Sequence, residues 1–83
     1  MQTTIKIISG SPLSNRTVQE VAKEFSIIIV ATYDQNYERL GLLPNQKIIP
    51  PVYLEINGDF ENVRRFSLTA VDFKGKNKEE RLK

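Results

Sequence analysis

The sequence predicts a small α+β domain: a small mixed β-sheet with one short helix packed on a face, and a tendency to dimerise. Three observations carry this. Apolar, β-branched runs at residues 4–8, 27–31 and 52–56 read as strands. A Thr17-x-x-Glu20 spacing followed by Val18, Val21, Ala22 and Phe25 reads as one short amphipathic helix. A chain of 83 residues has room for one core and not two. With 40% apolar and 27% charged residues, the composition favours a folded domain over a disordered chain.

Thr4-Ile5-Lys6-Ile7-Ile8 forms the first expected strand, stopped at Ser9-Gly10-Ser11-Pro12 because proline cannot donate to a ladder. Leu13 is the one large apolar residue in that polar connection, and it is expected to anchor the loop to the core. Thr17 and Glu20 form a capping box for a helix of about nine residues, too short to persist alone. Its Val18, Val21, Ala22 and Phe25 stripe must lie on a sheet. Ser26 then separates the helix from Ile27-Ile28-Ile29-Val30-Ala31, which is apolar on both strand faces and so calls for cover on both.

Residues 33–46 are turn-rich, with Tyr37, Leu40, Leu42 and Leu43 as their apolar members. Lys47-Ile48-Ile49-Pro50-Pro51 reads as a clipped strand ended by the double proline. Val52, Leu54 and Ile56 alternate with Tyr53, Glu55 and Asn57, and Asn57-Gly58-Asp59 is a strong turn signal. After it the pattern is double-valued. Phe60, Val63, Phe66 and Ala70 have near-helical spacing, while Phe66, Leu68 and Ala70 alternate; a final strand within 65–73 is expected, because a thin core needs another sheet partner.

The charge is uneven. Of 12 basic and 10 acidic residues, the segment 74–83 holds five basic and two acidic, leaving seven and eight in residues 1–73. The expected organisation is therefore one regulatory or dimerisation domain over residues 1–73 and a basic flexible tail over 74–83. No apolar segment reaches the roughly 18–20 residues that span a bilayer, and MQTTIK lacks the order of a signal peptide, so a cytoplasmic location is expected.

The absence of cysteine and histidine excludes disulfides, thiolate chemistry and any metal site built on imidazole or sulfur. Ser9, Ser11 and Ser14 have no histidine or cysteine to activate them, and turn and cap roles are expected. Asp34, Glu38, Glu55, Asp59, Glu61 and Asp72 form no tight acid–base pair, and neither G-x-x-x-x-G-K-[ST] nor G-x-G-x-x-G occurs. A non-catalytic protein with no cofactor and no metal is expected.

The order of strand, Ser11-Pro12-Leu13, the short helix around Val18–Val21, Ile27–Ala31, Ile48-Ile49-Pro50 and Gly58-Asp59 resembles the C-terminal regulatory domain of potassium-conductance regulators, the TrkA-C or RCK-C family. The likeness covers roughly residues 4–60. It departs from the family pattern in the long 33–46 segment and in FENVRRFSLTAVDF after Gly58-Asp59. The resemblance implies a regulatory module that forms a homodimer, in service of a membrane transporter subunit, with a cyclic dinucleotide or other small anionic ligand in the cleft between two copies. On that likeness the ligand-binding candidates are Arg39, Lys47, Ile49, Pro50, Arg64 and Arg65, and the dimer-interface candidates are Ile28, Val30, Ile48, Pro51 and Tyr53.

The alternative reading is a small nucleic-acid-binding domain using the basic tail, Arg64 or Arg65, and the tyrosines Tyr33, Tyr37 and Tyr53, which stack readily on bases.

Overall fold

The computed structural model describes residues 1–71 and contains, in order, β1 (Gln2–Ile7), α1 (Val18–Phe25), β2 (Ile28–Tyr33), β3 (Arg39–Leu40), β4 (Val52–Asn57) and α2 (Phe60–Ala70). The expected tail at 74–83 lies outside the described residues. The four strands form one sheet in the order β1-β4-β2-β3, and each adjacent pair is antiparallel. Both helices pack on the same sheet face, giving the expected α+β class with a second helix added. α1 lies against β2 and α2 against β1, and the helices meet each other.

Alternation assigns the faces. On β4, Val52, Leu54 and Ile56 are buried, and they pair with Ile7, Ile5 and Thr3 of β1 on the inner face. Their covers are Val18, Val21 and Phe25 of α1 and Val63, Phe66 and Ala70 of α2. The rings of Phe25 and Phe66 meet edge-on at 5.5 Å and 89°, joining the two helices over the sheet.

The start of α1 follows the sequence closely. Thr17 Oγ1 accepts from the Glu20 amide at 3.1 Å, and Glu20 Oε1 accepts from the Thr17 amide at 2.9 Å, completing the capping box. Hydrogen bonding to the carboxylate from Thr17, its backbone amide first and its side chain second, holds the Glu20 carboxyl below the ordinary glutamate range. The helix stops at Ser26 in the left-handed region (φ 54), whose amide reaches back to the Ala22 and Lys23 carbonyls. Leu13 is fully buried, so the loop before α1 is pinned as expected. Gly10, at φ 96, makes the turn that a side chain would resist.

Two expected elements are different. The final strand within 65–73 is replaced by α2, because the Val63, Phe66, Ala70 stripe gains more by lying on the sheet than the Phe66, Leu68, Ala70 alternation gains by joining it; Leu68 is left exposed. Asn57-Gly58-Asp59 accordingly leads into a helix. Gly58 fits there because a Cβ would stand 3.1 Å from Cγ2 of Ile27. Nor is 47–51 a strand: Lys47 makes a single bridge to Thr17, Ile48 drops into the core, and the Pro50–Pro51 peptide is cis.

The apolar run in β2 is resolved by a bulge. Ile29 pairs with Ile56 and Ala31 with Glu55, leaving Val30 as the extra residue. Ile29 and Thr32 therefore both face inward, while Ile28, at 65% exposed, faces out. Within the run the chain itself encloses Ile27, Ile29 and Ala31, while Ile28 and Val30 stay exposed.

Replacing Thr17 by Ala should lower stability by about 1 kcal/mol in urea denaturation. Glu20 adds a pH signature: its contribution is complete above the ordinary glutamate value and is lost as pH falls through the lowered folded value, so the wild-type advantage over Glu20→Gln should fade on acidification. Leu13→Ala should cost more, about 2–5 kcal/mol, because it empties a fully enclosed site.

Candidate functional site

The bulge at Val30 has a second effect, on the open face of the sheet. Without the extra residue, Tyr33 would share the inner face with Ile29. With it, Tyr33 pairs with Tyr53 on the side away from the helices. Tyr53 pairs in turn with Lys6, and Tyr33 with Arg39. One row, Lys6–Tyr53–Tyr33–Arg39, thus crosses all four strands. At strand spacing its backbone ends lie about 14 Å apart.

Tyr37 reaches over this row from the β2–β3 connection. Its ring stacks on Tyr33 at 4.7 Å and 8°, and meets Tyr53 edge-on at 5.0 Å and 76°. The Lys6 ammonium stands 5.5 Å from the centre of the Tyr53 ring, within cation–π range. Tyr33 donates its hydroxyl to Oε1 of Glu55 at 2.8 Å, and Gln2 donates to the other carboxylate oxygen. The Glu55 hydrogen bond pushes the Tyr33 hydroxyl above the ordinary tyrosine value; desolvation and the Glu55 charge add to this, and Arg39 opposes it.

Tyr37 holds its place at a conformational cost. Its φ is 64, a left-handed geometry that bulky side chains resist by roughly 1–2 kcal/mol. The connection is fixed around it by Asp34, whose Oδ1 accepts from the amides of Asn36 (2.8 Å) and Glu38 (2.9 Å). The Asp34 carbonyl accepts from the Tyr37 amide at 2.8 Å, and the Asp34 amide donates to the Glu38 carbonyl at 2.9 Å. Four hydrogen bonds therefore set one exposed aromatic ring over two others.

The expected ligand residues do not converge. Arg39 is exposed on β3, while Arg64 and Arg65 are on α2, which packs toward the opposite edge of the sheet. Arg65 lies 5.2 Å from the centre of the Phe25 ring, on the helical layer. Lys47, Ile49 and Pro50 belong to the connection beside the start of α1, where Ile49 is 66% exposed. Among the interface candidates, Ile28, Val30 and Pro51 are exposed and Tyr53 belongs to the row. Ile48 is enclosed in the chain's own core and offers no surface to a second copy.

The start of α1 is not a phosphate cradle. Its amides are already engaged: Val18 donates to the Gln46 carbonyl, Gln19 to Pro44 and Glu20 to Thr17. Ser11 Oγ accepts from the Leu13 amide, and the buried Ser14 Oγ has no hydrogen-bond partner, so neither hydroxyl touches a base. Among the described residues, no three Asp or Glu side chains gather as a metal site, and no helix is long and apolar enough to cross a membrane. Sequence reasoning named the three tyrosines but not Lys6 as their neighbour. The Ile5-Lys6-Ile7 alternation marks Lys6 as outward, yet its partner depends on strand order.

No family model matches this chain, and no curated protein matches it.

Because Tyr33 is neutral as a donor to Glu55, its contribution to stability is complete below the ordinary tyrosine value and is lost as pH rises through the raised one. Titration of the Tyr33 ring signal by NMR should show a raised midpoint, and Glu55→Gln should bring it down.

Proposed function

We propose that this domain is a non-catalytic regulatory module that acts as a homodimer. The observation that carries the reading is the unfinished side of β2. β3 pairs only with Thr32 and Tyr33. Beyond it, no other described strand pairs with the Ile28–Ala31 edge opposite β4, and Ile28 (65% exposed) and Val30 (36%) stand there uncovered. An open strand edge with exposed aliphatic side chains is a pairing surface, and a second copy of the chain is the partner that is always at hand.

The resemblance to the C-terminal domains of potassium-conductance regulators supports the same reading. What supports the reading is the order of a strand, a turn with Ser11 and Leu13 buried, a capped helix, an apolar strand and the Ile48-Ile49-Pro50 connection. On that likeness, a cyclic dinucleotide or another small anion would be sensed in the connection of Lys47, Ile49 and Pro50, from which Arg39 on β3 stands apart, with a membrane transporter subunit as the regulated partner. The nucleic-acid alternative gains from the three tyrosines gathering on one face. On charge, residues 1–71 balance seven basic against seven acidic side chains, so attraction for a phosphate backbone would rest on residues 74–83, with five basic and two acidic.

Sedimentation equilibrium at low micromolar concentration should give a dimer. Ile28→Lys should weaken association roughly thirtyfold or more, the scale of losing one central anchor of about 2 kcal/mol. A wild-type monomer with intact secondary structure would sink the proposal. The ligand part is checked separately, by calorimetric titration with cyclic dinucleotides.

A further inference from the structure

The open sheet face carries an aromatic seat already filled by a ring from the chain itself. Tyr37 lies flat on Tyr33 at 4.7 Å and edge-on to Tyr53 at 5.0 Å, the arrangement a planar ligand would adopt between the same two residues. Two further observations set this apart from ordinary packing. Tyr37 remains 55% exposed, so its strained backbone gains little burial in return. And the strain is imposed locally by the Asp34 hydrogen bonds, within a turn that can move without disturbing the core.

The charges around the seat indicate what would replace Tyr37. Lys6 and Arg39 close the two ends of the row, each directly paired with one of its tyrosines. Three carboxylates stand nearby: Glu55 accepts from Tyr33 and Gln2, Asp34 accepts from the amides of its own turn, and Glu38 is exposed between Tyr37 and Arg39. Neutral donors leave their charge in place, so an anion is favoured only at the Lys6 and Arg39 ends of the row. Cations at the ends and aromatic faces in the middle suit a planar ring that carries an anionic group.

We propose that the Lys6–Tyr53–Tyr33–Arg39 row is a binding site for a nucleoside monophosphate, and that Tyr37 is the strap covering it in the free chain. The base takes the place of the Tyr37 ring on Tyr33, and the phosphate is met by Lys6 or Arg39. The seat is made by one chain, so it is independent of the dimer proposed above.

The test uses AMP, adenosine and inorganic phosphate as probes, followed by the ring signals of the tyrosines in NMR. The chain has three tyrosines and no tryptophan, and all three tyrosines are in the row or on it, so these signals report the site alone. AMP should shift the Tyr33 and Tyr53 signals saturably, with adenosine weaker and phosphate alone without effect on the rings. The double substitution Lys6→Ala/Arg39→Ala should weaken AMP roughly tenfold and leave adenosine unchanged.

Tyr37→Gly, which relieves the left-handed strain and clears the seat, should tighten AMP several-fold. Ile28→Lys should leave AMP binding as it was. Absence of ring shifts at millimolar AMP would overturn the proposal, as would unchanged or weaker binding in Tyr37→Gly with a native amide spectrum. Loss of AMP binding in Ile28→Lys would also overturn it, by showing that the site belongs to the dimer.

Discussion

One sheet face has to be kept dry by two short helices, and nearly everything else in the molecule follows from how that is done. Neither helix is long enough to hold itself together in water, so each exists because its apolar stripe lies on Val52, Leu54 and Ile56 and meets the other at the Phe25–Phe66 contact. The fully enclosed Leu13 extends the same core under the loop before α1, and Ile48 does so from the connection to β4. Loops that would otherwise wander are held by single buried side chains.

The bulge at Val30 is the point at which this core shapes the opposite surface. A regular strand would carry Tyr33 inward with Ile29; the extra residue shifts the register so that Thr32 faces in and Tyr33 faces out beside Tyr53. The buried Thr32 hydroxyl is satisfied by donating to the Gly41 carbonyl and accepting from Gln46, which ties the long connection after β3 to the sheet. The same local irregularity therefore positions the aromatic row and anchors the connection.

These features give the two sheet surfaces different roles. The helix-covered face supplies stability and has no charged side chain buried in it. The open face gathers cations, aromatic rings and a carboxylate in hydrogen-bonded contact, and the neighbouring β2 edge lacks a partner over most of its length among the described residues.

Local chemistry made some elements legible in the sequence alone: the Thr17–Glu20 capping box, the Val18, Val21, Phe25 stripe, the strands through Ile5 and Leu54, and the anchoring of Leu13. Each is decided by residues within a few positions of one another. The segment after Asp59 was not decided that way, because Phe66 and Ala70 satisfy a strand and a helix equally until the sheet shows which surface lacks cover. The aromatic row was hidden for the same reason. Tyr33, Tyr37 and Tyr53 are plain in the sequence, but their meeting with Lys6 and Arg39 depends on strand order and on a one-residue slip in β2, and contacts between distant segments are set by packing and not by spacing along the chain.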